Sequence, residues 1–234
     1  MTLQQTLDAI RACGSEQTRN TLMKHGAVNT YGVKVADLKN IQKKIKNDQA
    51  LALQLYDTGV YDAMYLAGLV ADGAKMTEKQ LQHWVEASQS QGISEYTVPW
   101  VASEHPAGWK LALQWIASGN EKIASSGWST LGGIVSMYAD DALDLPMLEK
   151  LLKRVEKEIH KAPNRVRYTM NSFVIGVGTY VNALEEKAVG TARKIGLVSV
   201  DMNGTACKVP SAEEYIKASR NRPGGAKKKK TIKC

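Results

Sequence analysis

With 234 residues, 44% of them hydrophobic and 23% charged, the chain is long enough for one large domain or two small ones, apolar enough to bury a core, and too ordinary in charge to be disordered. The net charge of +8 is lopsided: from Lys217 onward come Lys217, Arg220, Arg222, Lys227, Lys228, Lys229, Lys230 and Lys233 with no acid, and the rest of the chain holds 23 basic against 23 acidic residues. A neutral body with a basic tail points to a polyanion partner, most often nucleic acid and less often an anionic membrane; the plain alternative is a solubilising tail.

Taken in order, residues 2–13 place Leu3, Leu7 and Ile10 on one helical face, Gly14-Ser15 ends that helix, and Ser15 caps another through Lys24. Residues 26–32 form a loop, and residues 37–46 a helix with Leu38, Ile41 and Ile45 inward and Lys39, Lys43, Lys44 and Lys46 outward, either as a solvated face or as phosphate contacts. Asp48 caps a helix through Tyr56 that Gly59 ends, and residues 61–70 are so apolar that they are expected to be buried on most sides. Thr77 starts a helix with Leu81, Trp84 and Val85 inward. In the stretch 92–106, Pro99 lies inside a helical pattern, where it kinks the helix or sits in its first turn.

Helices follow at 108–117 and 121–138, separated by Ser118-Gly119-Asn120, and at 145–160, begun by Pro146. The stretch 164–178 starts polar, with Arg165 and Arg167, and turns apolar through Met170, Phe173, Val174 and Val177, which share one helical stripe. A helix at 184–195, a briefly extended piece at 197–200 and a last helix at 211–218, with Ser211 and Glu214 at capping-box spacing, complete the body. Pro223-Gly224-Gly225 then releases a lysine run.

Leu51-Ala-Leu-Gln54 recurs as Leu111-Ala-Leu-Gln114, and in both places a Thr-Gly or Ser-Gly stop follows at the same distance, Thr58-Gly59 and Ser118-Gly119. Short helices joined by such turns close no core as isolated pairs, but stacked side by side they bury a continuous one. The fold expected is all-α, a right-handed α-solenoid of HEAT or armadillo-like helical repeats over residues 1–222, with residues 223–234 as a basic flexible C-terminal tail.

Cys13, Cys207 and Cys234 are far apart and no pair has metal-ligand spacing, as befits a reducing compartment. Residues 1–9 lack a signal-peptide pattern and no apolar run is long enough to span a bilayer, so a soluble cytoplasmic protein with no membrane and no metal partner is expected. His25, His83, His105 and His160 show no ligand spacing.

The segments Tyr31-Gly-Val-Lys-Val-Ala-Asp-Leu38, Leu51-Ala-Leu-Gln-Leu-Tyr56 followed by Tyr61-Asp-Ala-Met-Tyr-Leu-Ala67, and Val200-Asp-Met-Asn-Gly-Thr-Ala-Cys-Lys-Val-Pro-Ser-Ala-Glu-Glu-Tyr-Ile216 resemble the AlkD-like DNA alkylation repair family across most of the chain. The resemblance implies a HEAT-like solenoid holding duplex DNA in a basic concave groove. It also implies excision of cationic alkylpurines without a metal, a cofactor or base flipping. That chemistry needs a carboxylate near the sugar to stabilise oxocarbenium character, with aromatic faces beside it.

Where the family carries a Trp-Asp-x-x-Asp-like segment, this chain reads Glu95-Tyr96-Thr97-Val98-Pro99, and where the family has an arginine pair it reads Ile123-Ala-Ser-Ser-Gly127. None of the family's catalytic residues transfers. Three functions follow: a relative that binds double-stranded DNA, alkylated or not, without cutting it; an alkylpurine glycosylase with a relocated site built from Glu95, Tyr96, Trp100 and Glu104; or a protein-binding scaffold. For Glu95 and Glu104 the plain alternative is a surface carboxylate or helix partner, and for Trp100 it is core packing. The DNA contacts expected are Arg165 and Arg167, at a helix start where the dipole favours phosphate, together with Lys208, Lys217, Arg220, Arg222, Lys227, Lys228, Lys229 and Lys230, all sequence-independent.

Overall fold

Helix starts in this chain are written in side chains. Thr2, Ser15, Asp48, Thr77, Asn120, Asp144 and Ser211 each stand one residue before a helix and accept a first-turn backbone N–H, supplying a partner that the helix itself cannot. The computed structural model describes residues 1–234, and they form helices and turns with no strand. The helices are α1 (Leu3–Ala12), α2 (Glu16–Lys24), α3 (Val35–Ile45), α4 (Gln49–Asp57), α5 (Tyr61–Val70), α6 (Glu78–Ala87) and α7 (Val98–Glu104), then α8 (Gly108–Trp115), α9 (Glu121–Met137), α10 (Leu145–Glu158), α11 (Asn164–Tyr180), α12 (Glu185–Ile195) and α13 (Ala212–Arg220). Residues 197–200 pair with no other segment as a strand.

The chain divides into two compact units, Met1–Ala107 with Met202–Thr205 and Lys233–Cys234, and Gly108–Asp201 with Ala206–Ile232. In the first, α5 is the central helix: every residue from Asp62 to Val70 is buried, with α4, α3 and the turn before α7 packed around it. Tyr56 stacks on Trp84 at 3.9 Å, and its hydroxyl donates to the Trp84 carbonyl at 2.6 Å, which fixes α4 against α6. The loop 26–34 is folded onto α5 by one buried carboxylate: Asp62 accepts from Thr30 Oγ1 at 2.8 Å and from the N–H groups of Tyr31 at 2.6 Å and Val33 at 2.9 Å. Gly32 in that loop has φ +80°, and a Cβ there would lie 2.4 Å from the Arg19 nitrogen and the Ser15 carbonyl oxygen, so only glycine fits.

In the second unit α9 and α11, each 17 residues long, lie against one another and form the centre of the core. The stripe Met170, Phe173, Val174 and Val177 is buried, and Phe173 meets Trp128 at 5.2 Å. Helix α8 packs on α9, α10 on α12, and α12 and α13 on α11. The recurring Leu-Ala-Leu-Gln marks the same device in each unit: α4 on α5 and α8 on α9, with Leu51, Ala52, Leu111 and Ala112 all buried at the contact. The architecture is an all-α helical repeat.

Candidate nucleic-acid interface

Pro99 explains the local geometry of the carboxylate and aromatic set. Proline has no N–H to give to the carbonyl four residues back, so a regular helix would leave that of Glu95 without a donor. The chain widens instead into a π-helical turn over Ile93–Thr97, in which the Val98 N–H bonds to the Ile93 carbonyl, before α7 begins with Pro99 in its first turn. The turn sends its neighbours in opposite directions: Glu95 is 5% exposed and Tyr96 46%. Trp100 is buried edge-on against Tyr65, at 5.0 Å and 87°. Glu104, at the end of α7, accepts from the Gly73 N–H at 3.2 Å and pairs with Lys233 at 2.9 Å. The four residues thus lie on one short stretch of the first unit but present different faces: Glu95 and Trp100 serve the interior, Tyr96 faces solvent, and Glu104 holds a loop and a lysine.

The cations of the second unit divide by what they touch. At the start of α11, Asn164 exchanges two hydrogen bonds with the Asp201 backbone, its Nδ2 to the carbonyl at 2.9 Å and its Oδ1 from the N–H at 2.7 Å. That anchor leaves Arg165 and Arg167 in the first turn, at the positive end of the helix dipole. The Arg165 guanidinium lies over the Tyr168 ring at 4.4 Å, and its backbone N–H donates to Glu121 at 2.7 Å. Arg167 reaches Asn164 Oδ1 at 3.4 Å, while its Nε is buried with no hydrogen-bond partner. Lys208 and Arg222 are exposed. Lys217 pairs with Glu213 one turn back at 2.7 Å, and Glu213 also takes Arg193 at 2.8 Å; these two cations hold its carboxyl below the usual range. Arg220 donates to the Gly178 carbonyl at the end of α11 at 2.6 Å and pairs with Glu185 at 2.9 Å.

The lysine run has ordered contacts in each unit. In the second, Lys228 reaches Asp140 and the Val135 carbonyl, both at 3.0 Å, the Lys229 N–H donates to the Ser136 carbonyl at 2.8 Å, and the Lys229 ammonium lies 5.4 Å from the Tyr180 ring. In the first, Lys233 donates to the Ala71 carbonyl, and Cys234 hydrogen-bonds to Tyr65, whose phenol is pushed up by burial first and by this contact second. Lys227 and Lys230 are exposed. Sequence reasoning placed the lysines but missed their acceptors, Asp140 and the carbonyls that end α5 and α9.

No group of three or more His, Cys, Asp or Glu stands close enough to hold a metal ion. His105 and His160 bond to backbone carbonyls, at 2.9 and 2.8 Å, and His83 to Asp57 at 2.8 Å. No helix is long and apolar enough to cross a membrane.

Residues 3–208 match the family described as DNA alkylation repair enzyme. Two curated relatives, the uncharacterized proteins Lin0241 of Listeria innocua serovar 6a and Lmo0209 of Listeria monocytogenes serovar 1/2a, are each 31% identical over 228 residues, covering 95% of this chain and 99% of theirs. A solved structure described as "a new family of proteins related to the HEAT-like repeat DNA glycosylases with affinity for branched DNA structures" superposes with a TM-score of 0.91 at 33% identity, over 100% of both chains. The chain belongs to the DNA alkylation repair enzyme family, among helical-repeat proteins related to the HEAT-like repeat DNA glycosylases.

Proposed function

We propose that this protein binds DNA through its phosphates, without reading sequence, prefers branched DNA to plain duplex, and does not excise bases. The observation that carries it is the state of the two carboxylates: Glu95 is 5% exposed, and Glu104 is engaged by Lys233 and the Gly73 N–H. A glycosylase needs a carboxylate facing the sugar to stabilise the cation left by base loss. Here one carboxylate is turned inward and the other is already neutralised. The preference for branched DNA is supported by the end-to-end likeness to a protein with that affinity, and phosphate binding by the cations of the α11 first turn, α13 and the lysine run.

The test is one titration and one release assay. A fluorescent four-way junction should bind more tightly than a linear duplex of the same length, and both affinities should fall steeply with salt. Duplex treated with a methylating agent should release no 3-methyladenine or 7-methylguanine above background under conditions where it is bound. Release at enzymatic rates, abolished by Glu104→Gln, would replace this assignment with a glycosylase whose site has moved. Absence of any DNA binding would leave the protein-binding scaffold.

A further inference from the structure

Residues 226–234 carry five lysines, and two of them are not spent on solvent. Lys228 ends on the Val135 carbonyl and Asp140, and Lys233 on the Ala71 carbonyl and Glu104. The two sockets are chemically alike. Val135 lies in the last turn of α9 and Ala71 caps α5, so each ammonium meets a carbonyl at the negative end of a helix, with one carboxylate beside it. The Lys229 N–H on the Ser136 carbonyl and Cys234 on Tyr65 add a backbone and a side-chain clamp. Lys227, Lys229 and Lys230, on either side of Lys228, have their side chains exposed.

We propose that residues 226–230 are a latch that a polyanion releases. In the free protein the segment is held on the second unit by the Lys228 socket and the Lys229 N–H. A polyanion engages the exposed Lys227, Lys229 and Lys230 first, then draws Lys228 from Asp140 onto its own charges. Partly exposed ion pairs are weak and salt-sensitive, whereas a row of phosphates pairs every lysine at once and releases counterions as it does so. Release uncovers Asp140 and the carbonyl end of α9. The latch deepens the DNA-binding assignment and rests on it only for the identity of the polyanion that the released segment follows.

The reporter is hydrogen exchange of the Lys229 amide in the full chain, because its bond to Ser136 at 2.8 Å exists only while the segment is docked. In the variant Lys228→Met this amide should exchange roughly tenfold faster while the amides within α9 keep their protection. Inorganic polyphosphate added to the unaltered protein should produce the same local opening. Unchanged or slower exchange in either case overturns the latch. A four-way junction is the third arm. If it binds and the Lys229 amide stays protected, the latch is overturned; if it fails to bind while polyphosphate opens the segment, the DNA assignment falls and the latch stands.

Discussion

Asp62 is fully buried, and its carboxylate is surrounded by donors rather than by water. Two backbone N–H groups and a threonine hydroxyl from the loop 26–34 converge on it, so one residue at the start of α5 folds a whole connection that its own sequence leaves irregular. Asp62→Asn keeps the shape but turns an NH2 group toward N–H donors. We expect it to lower stability by about 3 kcal/mol in urea unfolding, the scale of losing a charge-assisted hydrogen bond and stranding a buried donor. Asp140 shows the opposite balance at the surface. Burial alone would raise its carboxyl, but Lys228 and the N–H groups of Ala183 and Asn182 outweigh it and hold it below its ordinary value of 3.8. A depressed carboxyl stabilises the fold fully above its unfolded value, and the contribution is lost as pH falls through the folded one. Docking at Asp140 is therefore intact at neutral pH and lost only below that value. In Lys228→Met the Asp140 carboxyl should titrate at higher pH, read by carboxyl NMR; an unmoved titration would show that Lys228 is not its partner in solution.

At the scale of elements, the repeated helix pair depends on close approach as much as on its apolar pattern. Gly127 in α9 faces α8, and a Cβ there would stand 2.7 Å from the Ile116 nitrogen and 2.9 Å from the Ala112 carbonyl oxygen, both backbone atoms that cannot swing aside. Gly127→Ala should cost about 2 kcal/mol by overpacking despite the better helix propensity of alanine, and thermal unfolding should show it as a lowered Tm. The caps at Ser15, Asp48, Thr77 and Ser211, the buried run after Tyr61, the stripe on α11 and the duplicated Leu-Ala-Leu-Gln were legible in the sequence, because caps and periodicity are properties of side chains at fixed spacing. Pro99 announced a disturbance but not its form: a kink and a first-turn proline were both open, and the chain combines a π-helical turn with a first-turn proline. That turn decides that Glu95 points inward and Tyr96 outward, a difference no spacing argument reaches. The sockets for Lys228 and Lys233 were equally hidden, since half of each is a backbone carbonyl that every residue carries and only a helix end exposes.

Over the whole molecule, the charge that sets the protein apart from a neutral helical repeat is concentrated in its last stretch, and its distribution there sets how DNA binding should depend on salt. Lys217 and Arg220 belong to α13 and are paired with Glu213 and Glu185, and Arg220 also closes the end of α11, so removing that helix would confuse lost stability with lost contacts. A cut after Arg222 avoids this. It keeps α13 whole and removes Lys227, Lys228, Lys229, Lys230 and Lys233. If all five lie along phosphates in the complex, the slope of log affinity against log salt should flatten by up to about 4.5, close to 0.9 for each phosphate neutralised. Arg165→Gln and Arg167→Gln, at the start of α11, should each flatten it by roughly 0.9 if that first turn also meets phosphate. The two effects should add, because substitutions without shared partners act independently. A junction titrated at several salt concentrations reads all of these slopes directly. An unchanged slope in the shortened chain would show that none of the five lysines lies along phosphates and would place the grip on DNA elsewhere.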